Sequence, residues 1–287
     1  MNNVLITGSN GQLGSELKKL SVEHKNFNFF FKDLPELNIC EYDLLKEIVL
    51  FNKIDIIINC AAYTSVDKAE NEIELAYSVN SNANNNLVSI VEEINGKLIH
   101  ISTDYVFGGS SSVAYSENDL TNPLGVYGKS KLEGENIILN SNIDSIIIRT
   151  SWLYSSFGNN FVKTMCDLMS KKSSINVIND QIGSPTYAKD LAETIISILN
   201  YNNWISGLYH YSSHGEISWF DFANDIKELG GFNTEIKAVN TDQYPTLAMR
   251  PKYSLLNKSK IKETFNIEIP FYKDSLKKCI KILKNEK

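Results

Sequence analysis

The chain has 287 residues, 43% of them apolar and 22% charged, enough for one large or two medium globular domains with a sizeable core. Lys and Arg number 28 against 34 Asp and Glu, and the resulting net charge of −6 excludes a general electrostatic attraction to nucleic acid or to an anionic membrane. The opening Met1-Asn2-Asn3-Val4-Leu5-Ile6 lacks the basic start and apolar body of a signal peptide, and no apolar run approaches the ~18 residues of a membrane span, so the expected location is the cytoplasm.

Residues 4–6 are a short apolar run, followed by Gly8-Ser9-Asn10-Gly11-Gln12-Leu13-Gly14 and then by Leu17 and Leu20 at helical spacing: strand, tight turn, helix. Residues 27–31 read as a second strand, 44–51 as a helix, and 54–60 as a nearly continuous apolar strand of the kind parallel sheets bury on both faces. Leu75, Val79, Leu87, Val91 and Ile94 mark one face of a long helix, and residues 98–101 read as the next strand. A helix follows Gly125, and Ile146-Ile147-Ile148 is a strand after it. This alternation predicts an α/β fold over residues 1–150, a Rossmann-like doubly wound parallel sheet with right-handed connections that forms a dinucleotide-binding domain.

After Thr150 the rhythm loosens. Residues 152–160 are polar, Gly183-Ser184-Pro185 is a turn, and 188–199 and 219–229 are amphipathic helices. Residues 151–287 are therefore expected to form mainly a smaller C-terminal α/β substrate-binding region, with some segments returning to the first domain. The Asn-rich stretch 80–86 keeps helical apolar spacing at its edges and does not read as disordered. Cys40, Cys60, Cys166 and Cys279 make no CxxC pair and read as reduced thiols. His24, His100, His210 and His214 make no HExxH, so no metal site is expected.

The Gly8-x-x-Gly11-x-x-Gly14 turn lies where a pyrophosphate can rest on backbone N–H groups at a positive helix end, and a Cβ would block that approach. Asp33, about twenty residues on, can accept hydrogen bonds from an adenosine ribose, or it merely begins a turn. Lys32 beside it can meet a 2′-phosphate, which leaves NADH and NADPH both open. Gly128-Lys129-Ser130 has the ending of an NTP-binding loop, but Pro123 stands where that loop needs its first glycine.

Tyr127 and Lys131 stand at i and i+4 on one helix face. A phenol with its ordinary pKa of ~10 exchanges protons poorly at neutral pH, and a fixed ammonium lowers that value, which is the part expected of Lys131. Ser102-Thr103-Asp104-Tyr105-Val106-Phe107 follows the fourth strand, where open parallel sheets bind ligands, and Thr103 offers a hydroxyl to a carbonyl oxygen. A hydroxyl, a phenol and a lysine beside a nicotinamide suit ketone reduction, with Tyr127 delivering the proton.

Residues 8–14, 102–107 and 127–131 resemble the extended short-chain dehydrogenase/reductases. Residues 59–70, 149–154 with 158–161, 180–186 and Met249-Arg250-Pro251 are in turn similar to the dTDP-4-dehydrorhamnose reductases, over about residues 3–256. The resemblance implies NADPH or NADH as cofactor and a dTDP-linked 4-keto-6-deoxy sugar as substrate. It implies Thr103, Tyr127 and Lys131 as catalytic residues, the last two also holding cofactor. It places Gly8, Asn10, Gly11, Gln12, Leu13, Gly14, Asp33, Asn38, Ile39, Ala61, Ala62 and Tyr63 along the cofactor. Thr64, Val66, Thr103, Asp104, Tyr105, Trp152 and Asn160 lie near the sugar, and Arg250 toward the nucleotide. Trp152 reads equally as core and Arg250 as half of a surface ion pair, while Asp67, Lys68 and Glu70 read as a solvated helix start.

Two positions depart from the family. Some members hold Mg²⁺ at a dimer interface through acidic residues; Glu16 fits one such position, but Lys189 stands where another carboxylate is expected, which argues against a metal-bridged dimer and leaves a homodimer open. Asn38 stands where Asp is common near the adenine, and an amide can still hydrogen-bond there. The competing readings are a 4-epimerase or dehydratase of the same superfamily, which keeps its cofactor through the cycle, and a non-catalytic cofactor-binding subunit akin to the regulatory beta subunit of methionine adenosyltransferase.

Overall fold

The structure is a computed structural model and describes residues 1–285. Six strands form its centre: β1 (Asn2–Thr7), β2 (Phe27–Phe31), β3 (Ile56–Asn59), β4 (Lys97–Thr103), β5 (Asp144–Thr150) and β6 (Gly207–His210). Their spatial order is β2-β1-β3-β4-β5-β6, with every pairing parallel. The chain goes from β1 outward to β2 and then back across β1 to β3, so strand order reverses between β1 and β3. The connections there leave in opposite directions and open a crevice beyond the carboxyl ends of both strands.

Alternation along each strand divides the core. Val4, Ile6 and Ile58 face one layer, where α1 (Gln12–Ser21) supplies Leu13 and Leu17, while Leu5 and Ile57 face the other, with Leu45 of α2 (Tyr42–Phe51) and Leu87 and Ile90 of α3 (Ala83–Glu93). Each fully buried aliphatic side chain contributes about 1.5–3 kcal/mol, and a slip of one residue would exchange the layers, so the pattern sets the register. Helix α4 (Val126–Leu139) buries Ile138 in the second layer.

The chain beyond Thr150 is divided between two places. Strand β6 extends the central sheet beside β5, and α6 (Ala188–Asn200) packs Leu191 and Ile195 into the first core layer. A separate apolar cluster gathers Val162 and Met165 of α5 (Phe161–Lys171), Phe222 and Ile226 of α7 (Trp219–Gly230) and Leu276 and Ile280 of α8 (Tyr272–Asn285). Strands Ser174–Ile178 and Glu235–Val239 pair in parallel against it. Among the described residues no helix is long and apolar enough to cross a membrane.

Two expectations need correction. The long helix expected through Leu75, Val79 and Leu87 is broken: Ile73–Tyr77 leads into a π-helical turn at Ser78–Asn82 before α3 begins. The wider turn rotates the face, so Leu75 is half exposed while Leu87 is fully buried. The third strand is also shorter than residues 54–60; Ile54 is already core before pairing starts, and Cys60 lies in the loop that leaves the sheet.

Candidate active site

Ser102, Thr103 and Asp104 are buried where β4 ends. Thr103 opens the single turn Asp104–Val106, its Oγ accepting the Tyr105 N–H at 3.2 Å. Helix α4 rests directly on that turn, which Gly128 permits: a Cβ there would stand 2.2 Å from the Tyr105 carbonyl oxygen. Tyr127 thereby meets Tyr105 edge to face, with ring centroids 5.7 Å apart, and its phenol is hydrogen-bonded to Thr103. The glycine that mimicked a phosphate loop is thus a packing contact. Ser130, buried in the same helix, donates to the Tyr127 carbonyl at 2.9 Å and accepts from Asn80 at 3.1 Å.

Lys131 is buried, and its amino end reaches into the sheet, donating to the Ile101 carbonyl at 2.7 Å and lying 3.3 Å from His100 Nε2. Burial pushes its pKa down to about 8, against the pull of Glu135 and Cys60. The expectation that Lys131 lowers the Tyr127 pKa is corrected here. Burial pushes that phenol up to about 12, the Thr103 hydrogen bond opposes the shift, the Asp104 charge adds to it, and Lys131 is directed at β4. In the absence of ligand Tyr127 therefore stays a protonated phenol at neutral pH. Burial also pushes the Asp104 carboxyl up to about 7, against hydrogen bonds from Ser254 and Thr103.

The turn at Val66–Ala69 is solvated at Lys68, but Asp67 and Glu70 are engaged in specific contacts. Glu70 Oε1 accepts the Val126 N–H at 2.9 Å and so caps α4, which has no capping side chain of its own. Asp67 receives both Arg250 Nη2 at 2.6 Å and the Ala248 N–H at 3.1 Å. Burial pushes the Asp67 carboxyl up, but Arg250 and the backbone donors hold it below the ordinary range. Arg250 is also hydrogen-bonded to Tyr105, so its guanidinium joins Asp67 to the aromatic pair beside Thr103. Glu70 carried a legible signal, a carboxylate free to cap a glycine-led helix, but its partner lies far along the chain.

At the crevice, Gly8 packs against the loop after β3, where a Cβ would stand 2.6 Å from the Ala61 nitrogen, and Gly14 is buried against Ser9. Gly11 is exposed and opens α1 with no capping side chain. Asp33 accepts the Asn10 N–H and the Leu34 N–H, each at 2.8 Å, so it braces the turn from the end of β2. Gln12 accepts from Asn160 at 2.9 Å. Leu13 and Ile39 turn their side chains into the core, and Asn38 donates to Glu41. Ala61 and Ala62 line the partly exposed loop after β3, and Asn80 holds the Tyr63 backbone by both its N–H and its carbonyl.

Thr64 is exposed and Val66 half exposed on the same loop. Trp152 adopts φ +47°, a conformation in which a bulky side chain is strained, and stacks on Trp219 at 3.6 Å. Trp219 was not singled out from the sequence, where it reads as the start of an amphipathic helix. Asn160 is committed to structure: its Oδ1 caps α5 through the Lys163 N–H, and its Nδ2 also donates to the Ser155 carbonyl at 2.7 Å. Glu16 is buried and accepts from Ser155 at 2.5 Å.

A Gly-rich turn at the reversal of a parallel sheet, with threonine, tyrosine and lysine gathered at the end of the next strand but one, defines a nucleotide-dependent reductase of the extended short-chain dehydrogenase/reductase type. The sequence profile of one family, described as RmlD substrate binding domain, matches residues 1–285, and the chain belongs to that family. The dTDP-4-dehydrorhamnose reductase of Aggregatibacter actinomycetemcomitans is 41% identical over 287 residues, covering 96% of this chain and 98% of the relative. The spore coat polysaccharide biosynthesis protein SpsK of Bacillus subtilis is 40% identical, covering 92% of each. The crystal structure of dTDP-4-dehydrorhamnose reductase from Bacillus anthracis in complex with NADP superposes with a TM-score of 0.94 at 36% identity, covering 98% of this chain and all of the other.

Proposed function

We propose that the chain reduces dTDP-4-dehydro-β-L-rhamnose to dTDP-L-rhamnose at the expense of NADPH or NADH, the last step of dTDP-rhamnose synthesis for surface polysaccharide, and that it does so in the cytoplasm. The observation that carries this reading is the convergence of Thr103, Tyr127 and Lys131 at the carboxyl end of β4, beside the uncapped start of α1.

The residues fit a dinucleotide. Gly8 and Gly14 fold the turn tightly, while a Cβ at Gly11 would meet only the Gly8 carbonyl at 3.2 Å, so the uncapped N–H groups behind Gly11 face open space suited to a pyrophosphate. Asp33, at the end of β2, suits the ribose, and Lys131 at the base of the crevice suits the second ribose. The cofactor supplies a hydride to the sugar ketone. Thr103 orients the carbonyl oxygen, and Tyr127, protonated before reaction, gives its proton to that oxygen as negative charge develops there. Lys131 beside Ile101 of β4 and Arg250 beside Tyr105 stand at two ends of the site, where Lys131 can meet the cofactor and Arg250 a nucleotide phosphate.

The test is the purified protein with NADPH or NADH and the dTDP-linked 4-keto sugar, following cofactor absorbance and identifying the product by NMR. One cofactor oxidised per rhamnosyl nucleotide is the expected result. Sugar interconversion without net cofactor oxidation would instead mark an epimerase, and cofactor binding without turnover a regulatory subunit.

A further inference from the structure

Thr7, Asn59 and His100 are register partners on β1, β3 and β4 and form a polar row across the middle of the sheet, ending under Lys131. None of these three was singled out for the chemistry, and all are buried. Counting hydrogens along the row fixes its polarity. Asn59 Oδ1 accepts from the Thr7 hydroxyl at 2.6 Å and from the Ala61 N–H at 3.3 Å. A backbone N–H can only donate, so the amide cannot be turned around, and it is Nδ2 that faces His100 Nδ1 at 3.1 Å. His100 Nδ1 must then be the accepting nitrogen, and the neutral ring carries its hydrogen on Nε2. That N–H points at Lys131 Nζ, 3.3 Å away. An ammonium there would set hydrogen against hydrogen, whereas a neutral amine offers a lone pair to His100 and still donates to the Ile101 carbonyl.

We propose that His100, oriented by Asn59, is a positioning residue that favours the neutral amine of Lys131 while the cofactor is absent, so that in mildly alkaline solution capture of the cofactor is accompanied by uptake of one proton from solvent. The inference rests on the reading of Lys131 as the lysine that meets the cofactor ribose. The incoming proton joins the Nζ lone pair, His100 keeps its own proton, and the ammonium so formed turns its new N–H toward the cofactor. In alkaline solution the ammonium that the reaction requires is thus completed in the loaded enzyme.

The surroundings agree with this arrangement. Lys131 faces Glu135 on its own helix, Cys60 from the loop after β3 and His100 from β4. The one carboxylate among them, Glu135, is held in a buried ion pair by Arg149 of β5 at 2.6 Å. Burial drives the His100 ring well below its ordinary pKa, so it is neutral.

Isothermal titration with NADPH at about pH 8.5, in buffers of different ionisation enthalpy, reads the uptake directly, and about one proton per cofactor is expected for the unaltered protein. Asn59→Asp is the decisive variant. It is nearly isosteric and accepts from the same two donors, but it turns the row around: His100 Nδ1 then donates to the carboxylate, Nε2 becomes an acceptor, and Lys131 is an ammonium before and after binding. Uptake should vanish in Asn59→Asp, and nitrogen NMR should show the His100 hydrogen moving from Nε2 to Nδ1. A wild-type protein that takes up no proton overturns the proposal. Uptake persisting undiminished in Asn59→Asp also overturns it, because the proton then enters elsewhere, with Asp104 the first suspect. Lys131→Met separates this failure from that of the site reading: if that variant binds NADPH as tightly as wild type, Lys131 does not meet the cofactor and the site reading itself falls.

Discussion

Replacing Gly128 by Ala adds a single methyl group at the contact that joins α4 to the turn after β4. The new Cβ would stand 2.2 Å from the Tyr105 carbonyl oxygen and 3.0 Å from the Pro123 Cβ. A carbon and a carbonyl oxygen settle at about 3.3 Å, so helix and turn must separate by about 1 Å. Neither neighbour is the flexible end of a side chain, and the backbone has to give. Overpacking of this kind costs about 1–3 kcal/mol of stability. The catalytic consequence should be larger in proportion, because the displaced helix carries Tyr127 while the turn is anchored by Thr103, and a misplacement of about 1 Å can lower turnover about 10²-fold. Thermal denaturation and steady-state kinetics with the keto sugar measure the two effects, and NADPH titration should show cofactor affinity changed much less than turnover. A Gly128→Ala enzyme that melts with wild type and keeps turnover within about threefold would refute the claim that this contact sets the distance between Thr103 and Tyr127.

Tyr127→Phe removes only the transferable proton, so turnover should fall by about 10²–10⁴-fold while NADPH still binds, as single-turnover kinetics and calorimetry would show. Lys131→Met should weaken the cofactor complex as well as turnover, since it removes both the charge and the donor beneath the ribose. Gly11→Val should abolish most cofactor affinity with circular dichroism nearly unchanged, because a Cβ there meets only the Gly8 carbonyl, at 3.2 Å, and the position has no left-handed φ to preserve. The Asp104 carboxyl, raised in the folded protein from 3.8 to about 7, makes the native state hold a proton that the unfolded chain has released, so this group's contribution to stability falls as pH rises between those values. Urea denaturation at a series of pH values should therefore find Asp104→Asn gaining on wild type from acid toward neutral pH, and parallel curves would count against the buried acid.

The first half of the fold, and the shared helix of Tyr127 and Lys131, were legible in the chain itself. Apolar runs at residues 4–6, 98–101 and 146–148 read as strands, the glycines after β1 read as a tight strand-to-helix turn, and Tyr127 with Lys131 four residues on share a helix face by the period of the helix. What short-range pattern could not decide is where each polar group finds its partner. Glu70 and Val126, Asp67 and Arg250, and Thr7, Asn59 and His100 meet only because strand order reverses between β1 and β3 and the C-terminal segments fold back on the sheet. The direction of Lys131 was decided the same way: spacing puts it near Tyr127, but burial favours an acceptor within reach, the Ile101 carbonyl on β4, and draws the amino end into the sheet. Periodicity is a property of neighbouring residues and survives in the sequence, whereas hydrogen-bond partnership and the dielectric around a charge belong to groups brought together by the sheet, and only the folded chain defines them.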